Sequence, residues 1–528
     1  MQNSYTLLFL AMVAIFIRLL FTGRRPKNYP PGPPTVPILG NIHLMPTRDT
    51  HLQFQKWAEE YGPVYSLILG TTTLVVLSSA QAVKDLLDRK SGLYSHRQEM
   101  YVGQTLASGN LRLLMMGYGP TWRSFRKLVH SLLNITASKA YIPYQELENK
   151  QMMYEMITQP EEFLGNIRRY TNALTTTMVF GWRTPTYQDA NMIQLFEGFS
   201  EFADLNQTGA AALLDSFPIL RKLPEFIIPM QKKAKELHEK EKALYKGHWL
   251  KAKADRAKGK LKPCFCVGLA EAQEKEGFSD DQAAYISGTV LEAGSDTTSN
   301  TLYAFIQAML LYPDVQKKGQ EEVDKIVGES RMPELEDAPD LQYVRQCMKE
   351  SLRWMPTTIL GAVPHAVTQD DVYNGYLIPK GAGVVNNVWA IHMDPERHPE
   401  PRCFNPDRYQ DDYQNLADAA ANGDVSKRDQ FTFGAGRRIC PGIHVAERSL
   451  FLGISRLLWG FNIEPDVDKD GKPILPNQEK LTQGFVCMPE EFKAKITPRS
   501  ELRRAKIVAT WKSAEEECLD SVTKQWKV

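Results

Sequence analysis

The sequence predicts a large, mainly α fold with a minor β component (α+β), and three observations lead to that class. Residues 64–69 and 73–77 are rich in β-branched side chains and flank Gly70-Thr71-Thr72, the pattern of a hairpin. Downstream, apolar residues recur at helical spacing over long stretches, the longest being 281–312, where no proline interrupts before Pro313. Neither an internal repeat nor a linker divides the body, so the helices are expected to share one core. The chain has 528 residues, 43% hydrophobic and 24% charged, enough apolar material for that core and too much for disorder. Sixty-three basic against 62 acidic residues leave a net charge of +1, so no nucleic-acid partner is expected. Seven cysteines are few for this length and odd in number, which argues against a disulfide framework and for a reducing compartment.

Residues 1–23 are expected to form an N-terminal transmembrane anchor. Residues 7–17 are all apolar, and the run resumes after Arg18 as Leu19, Leu20 and Phe21. The 17 residues from Tyr5 to Phe21 cover about 25 Å at ~1.5 Å per residue, slightly less than the hydrocarbon layer, so Arg18 is expected to snorkel to the interface. A cleaved secretory peptide fits less well, because there is no basic n-region and no small-residue cleavage site. Arg24, Arg25 and Lys27 follow the span, which predicts a single-pass protein with its body in the cytosol. Residues 24–40 read as a basic, proline-rich hinge. Pro30, Pro31, Pro33 and Pro34 lack amide hydrogens, so the segment is expected to be an extended spacer outside any helix or sheet. Residues 41–528 form the main body.

Within that body the 281–312 pattern is apolar on several faces, as expected of a helix crossing the interior. Residues 232–262 carry twelve basic and four acidic residues at helical spacing and read as a solvated helix and loop, with contact to anionic lipid as the alternative. Residues 411–430 read as a polar loop and 501–528 as a charged helical tail.

The most informative stretch is Phe433-Gly434-Ala435-Gly436-Arg437-Arg438-Ile439-Cys440-Pro441-Gly442, leading into a helical pattern near Ile443. A thiol at the entry to a helix meets free amide hydrogens and the positive helix end, which favour the thiolate, the form that binds a soft metal. Pro441 suits a first helical turn, and the glycines let backbone approach a flat ligand. A dinucleotide loop is excluded, since its third glycine would fall at Ile439.

Phe433, Gly436, Arg438, Cys440 and Gly442 match every fixed position of the haem-binding signature of the cytochrome P-450 haem-thiolate monooxygenases, and the chain resembles that family along almost its whole length. The overall style resembles that of its microsomal members in filamentous fungi. Ala293-Gly294-Ser295-Asp296-Thr297-Thr298 matches the family's oxygen-activation motif. The resemblance implies that Asp296 and Thr297 relay protons and that Ala293 leaves room beside the cofactor. Ala293 and Thr297, four residues apart, share a helix face. Glu350 and Arg353 match the Glu-x-x-Arg pair, and Arg408 in Pro406-Asp407-Arg408-Tyr409 completes the implied structural triad. Trp122 and Arg126 match the Trp-x-x-x-Arg pattern and, with His365 and Arg438, are implied partners for two haem propionates. Arg97 is a further candidate by position.

The resemblance implies a cytochrome P-450 fold, haem b ligated by Cys440, and a monooxygenase taking O2 and electrons from NADPH through a separate NADPH-cytochrome P-450 reductase at the endoplasmic reticulum membrane. Arg123 and Lys127 are candidates to face that partner. By the same analogy substrate contacts fall in residues 101–116, 202–217, 289–297, 360–363 and 481–485. These are mostly apolar or small, which favours a bulky apolar metabolite. A haem-thiolate isomerase or dehydratase on the same fold and a noncatalytic membrane haem-binding protein stand as alternatives; the intact Asp296-Thr297 pair argues against both.

Overall fold

The computed structural model describes residues 5, 10, 21–207 and 209–527. Most of the expected anchor lies outside the described residues. Among those described, no helix is long and apolar enough to cross a membrane.

The helix Asp280–Leu311 runs through the interior and organises the body. Ser279 caps it through a reciprocal box with Gln282, and Pro313 starts the next helix just beyond its end. Its C-terminal half is buried almost all round, with residues 302–306 and 308–310 in one core cluster with Leu450, Ile454, Leu457 and Trp459. The helices Phe163–Phe180, Pro229–Ala257, Gln342–Trp354 and Ile443–Gly460 all pack on it. A helix apolar on every face is stable only when surrounded in this way.

The β component is small, as expected. The hairpin forms between Val64–Leu69 and Thr72–Leu77, starting one residue earlier in its second strand than the sequence suggested. Thr72–Leu77 continues in parallel with Gly383–Asn386, which pairs antiparallel with His365–Ala366 and through it with His96–Arg97. That last pairing sets Arg97 directly opposite His365, two residues that meet again at the site.

One reading changes and another gains detail. The proline-rich segment lies outside helix and strand, as expected, yet it is docked on the body. Prolines cannot donate, but their carbonyls still accept: Pro31 O from the Ser66 amide at 2.7 Å, Pro33 O and Pro34 O from Asn41 Nδ2 at 3.0 and 2.9 Å. Arg25 ties Gly32 O to Ser66 O from the other side. The segment therefore forms part of the sheet margin. The 411–430 loop carries its own short helix, Leu416–Ala421, capped by Asn415. The basic stretch is helical as Pro229–Ala257 and the tail as Glu501–Cys518. All seven cysteines are unpaired.

Gly294 explains one helix-weakening residue of the central motif. A Cβ there would stand 2.7 Å from Thr175 Oγ1 and 2.9 Å from its Cγ2. Thr175 is held in place by its hydroxyl bond to Thr171 O at 2.7 Å, so the two helices touch because Gly294 is bare. Gly294→Ala would raise stability by about 1 kcal/mol in an exposed helix. Here overpacking of about 1–3 kcal/mol outweighs that gain, and the thermal midpoint of the variant is expected to fall below that of the parent.

Candidate active site

The loop before Ile443–Gly460 is tightly sewn. The Cys440 amide donates to Phe433 O at 2.9 Å and the Gly434 amide to Phe431 O at 3.0 Å. Gly436, at φ +57°, presses so close to its neighbour that a Cβ would lie 2.0 Å from the Leu87 carbonyl oxygen, a conformation and an approach that only glycine tolerates. Its amide donates to Asp88 Oδ1 at 2.6 Å, while Arg428 pairs with the other carboxylate oxygen of Asp88. Cys440 is left facing a cavity of about 410 Å³ that lies against the central helix.

That cavity gathers nearly every residue singled out in the sequence. Trp122, Arg126, Ala293, Asp296, Thr297, His365, Phe433, Arg438, Cys440 and Gly442 line it. Gly436 does not; its role is to lock the loop onto the 87–88 segment. Burial pushes the Cys440 thiol up, opposed by the Gly442 amide and the Arg126 charge. The expected thiolate-favouring groups are thus present, yet for the chain alone desolvation outweighs them.

Arg97, Arg126 and Arg438 cluster beside Cys440, and none has a carboxylate within ion-pair distance among the described residues. Their donors go instead to main-chain carbonyls: Arg438 Nε to Ser95 O at 2.9 Å and Nη2 to Met116 O at 2.6 Å, Arg97 Nε to Leu114 O at 3.1 Å, and Arg126 to Ile439 O. Arg438 also lies over the Trp122 ring, 4.0 Å from its centroid. Burial, then repulsion from Arg97 and Arg126, pushes the Arg438 guanidinium down to about 8. Three uncompensated cations beside one cavity call for a bound dianion.

His365 lines the cavity, and its Nδ1–H donates to Tyr94 O at 2.8 Å. Burial, with the Arg97 and Arg438 charges nearby, holds it well below the usual imidazole range. Arg97, opposite it in the sheet, adds a third guanidinium to the site.

On the central helix, burial raises Asp296 to about 6, against the lowering effects of Arg168 and the Asn300 side chain. A pKa near working pH suits a group that takes and returns protons. Thr297 Oγ1 donates to Ala293 O at 2.8 Å, so at rest its proton is held within its own helix. Its oxygen can still accept.

Glu350, Arg353 and Arg408 form the buried triad. Arg353 forks onto Glu350 with both bonds at 2.7 Å, and Arg408 Nε reaches Glu350 Oε1 at 3.4 Å. The Asn405 amide adds a fourth donor at 2.8 Å. His392, which sequence reasoning missed, carries the brace to the cysteine loop. Its Nδ1–H donates to Arg353 O and its Nε2 accepts the Phe431 amide, both at 3.3 Å. Arg353 returns a bond to His392 O at 2.9 Å.

Residues 30–496 match the family model described as Cytochrome P450. The chain belongs to that family. It is 51% identical to cytochrome P450 monooxygenase virE of Hypocrea virens over 100% of this chain and 95% of the relative. It is 48% identical to cytochrome P450 monooxygenase fogE of Aspergillus ruber, covering 96% and 94% respectively. Among solved structures, a zebra fish cytochrome P450 with abiraterone superposes with a TM-score of 0.67 at 25% identity, covering 85% of this chain and 100% of that one.

The protein is therefore a cytochrome P450 monooxygenase with a haem cofactor. The site fits that group on its own evidence: a single thiol at the cavity wall and three arginines lacking counter-charges, as a haem with two propionates requires. Cys440 would hold the iron, while Arg97, Arg126 and Arg438 would hold the carboxylates. A thiolate-ligated haem iron supplies the oxygen-activating chemistry.

Glu350→Ala leaves Arg353 buried without its partner, a loss of about 3–5 kcal/mol. Little haem-loaded P450 is expected, read as a collapse of the reduced carbon monoxide band per milligram of protein. Normal loading would remove the bracing role.

Proposed function

We propose that this P450 inserts one atom of O2 into a bulky apolar organic substrate, as a hydroxylation or multistep oxidation in fungal secondary metabolism. Electrons come from NADPH through a separate reductase. The observation that carries this reading is the convergence of Cys440 and the acid–alcohol pair Asp296-Thr297 on one cavity whose remaining wall is largely apolar. Ala293 leaves space beside the bound cofactor, Asp296 exchanges protons with the interior, and the Thr297 hydroxyl passes them on after releasing Ala293 O. Phe199, Phe202, Leu174 and Phe485 exclude water from the substrate end. Arg123 and Lys127 are exposed on the helix that places Trp122 and Arg126 in the site, which supports this face as the docking surface for an acidic redox partner.

The same reading places the enzyme on the cytosolic face of the endoplasmic reticulum membrane, with residues 1–23 as anchor, 24–40 as its connection and 41–528 as the catalytic domain. Exposed apolar side chains support it. Val36, Ile38 and Leu39 flank Gly40, which bridges to Leu69 at the hairpin, and Gly70 at the hairpin tip touches Phe217. Beyond Phe217, Ile219, Phe226 and Ile227 are 68%, 83% and 52% exposed. An apolar rim thus surrounds the point where the N-terminal segment joins the body.

Reconstitution with a reductase, NADPH and 18O2 is expected to give a product heavier by one labelled oxygen. Thr297→Ala is expected to keep the haem spectrum while diverting electrons to peroxide, and Asp296→Asn to slow turnover by about 10²-fold. Full coupling in both variants would overturn the relay. Carbonate-washed membranes from cells expressing the full chain are expected to retain it, with the body open to protease from the cytosolic side.

A further inference from the structure

The cavity is largely apolar, and apart from the arginine cluster and the Asp296-Thr297 pair one further charged group reaches it. Arg112 and Glu292 both reach its surface, although their side chains are only 6% and 11% exposed. Arg112 spends its donors within the protein. Nη1 goes to Glu292 Oε1, Nη2 to Glu241 Oε2 at 2.5 Å, and Nε to Ser108 Oγ at 3.0 Å. The Phe202 ring lies 4.4 Å from its guanidinium carbon. The Tyr245 hydroxyl donates to the same Glu292 oxygen that Arg112 holds.

Glu292 is therefore fixed asymmetrically. Oε1 receives two strong donors, Arg112 from a loop and Tyr245 from the helix Pro229–Ala257, whereas Oε2 makes no hydrogen bond among the described residues. Helix amides nearby are spent on the helix itself, so the chain has no donor to offer it. An ionised oxygen beside an apolar cavity, without a donor, is a costly arrangement that a ligand group can relieve. Arg112 divides its charge between Glu292 and Glu241, so what the second Glu292 oxygen lacks is a hydrogen-bond donor. Glu292 also precedes Thr297 by five residues on one helix, a separation of roughly 7 Å along the axis at ~1.5 Å per residue.

We infer that Glu292, held by Arg112 and Tyr245, is a substrate-recognition residue: its free oxygen accepts a hydrogen bond from a hydroxyl group on an otherwise apolar substrate. The carbon to be oxidised then lies further along the same helix, beside Thr297. This rests on the monooxygenase reading and adds to it the polar group the substrate must carry. A site built around an acceptor rejects a molecule that lacks the donor more strongly than it rejects a change in apolar shape.

The test uses the haem-loaded full chain and three probes of similar shape: 4-hydroxybiphenyl, which donates, 4-methoxybiphenyl, which only accepts, and biphenyl. Binding is read from the absorbance change of the haem band, without turnover. The parent protein is expected to bind the hydroxyl probe about tenfold or more tighter than the other two, as hydrogen bonds to charged groups give. Glu292→Gln inverts the chemistry. Its amide oxygen accepts from Arg112 and Tyr245, which turns the NH2 group toward the cavity as a donor. The preference for hydroxyl over methoxy is then expected to shrink to about threefold or less, with biphenyl affinity unchanged.

Equal binding of the three probes by the parent protein would overturn the inference even if the variant failed to fold. So would an unchanged preference in Glu292→Gln, or an equal loss for all three probes with the reduced carbon monoxide band intact. Failure to oxygenate any substrate would count against the function proposed above and leave this binding result standing.

Discussion

Placing a thiol that must ionise inside a buried wall sets the terms for the rest of the molecule. Desolvation alone works against the thiolate, and it wins in the isolated chain. The groups that oppose it, the Gly442 amide and the Arg126 guanidinium, are themselves held by the loop and by the helix Pro120–Leu133. Arg126 in turn belongs to a set of three crowded cations with no carboxylate within ion-pair distance among the described residues. A bound haem would answer both demands, its iron held by the sulfur and its propionates by the arginines.

Holding the thiol in place is a mechanical problem solved at a distance. Gly436 and Asp88 fasten one side of the loop, and the Glu350–Arg353 fork fastens the other through His392. The triad touches no atom of the cavity surface apart from what it supports. Its carboxylate is fully buried with four donors converging on it, the condition under which an ion pair resists motion instead of merely surviving desolvation. His392 belongs to the same logic. Burial and the Arg353 and Arg397 charges push it down to about 3, so it stays neutral and can donate from one nitrogen while accepting at the other.

What could be read from sequence was local or motif-bound. The hairpin and the central helix follow from short-range pattern, and the triad, the proton pair and the cysteine loop follow from spacing. What escaped this reading came from partners far away in the chain. The bond from His365 Nδ1–H to Tyr94 O spans 271 residues and carries no local signal. The prolines placed their segment outside helix and sheet, as observed, but their carbonyl acceptors, which dock it on the body, were not counted. Arg112 and Glu292, 180 residues apart, both fall in stretches expected to contact substrate, but nothing in a single sequence pairs them.

The cavity therefore has two electrostatic ends. Beside Cys440, positive charge is in excess and awaits the propionates of the cofactor. Beside Glu292 one guanidinium, Arg112, is shared with Glu241, and one carboxylate oxygen is left as an acceptor. Burying such ion pairs against aromatic rings adds little stability compared with apolar residues of the same size. Directional recognition is what an apolar lining lacks, because dispersion and water exclusion fix no register along a helix. One carboxylate oxygen with its twin already occupied supplies that register, so that reach along the helix, rather than pocket volume, selects which carbon meets the oxidant.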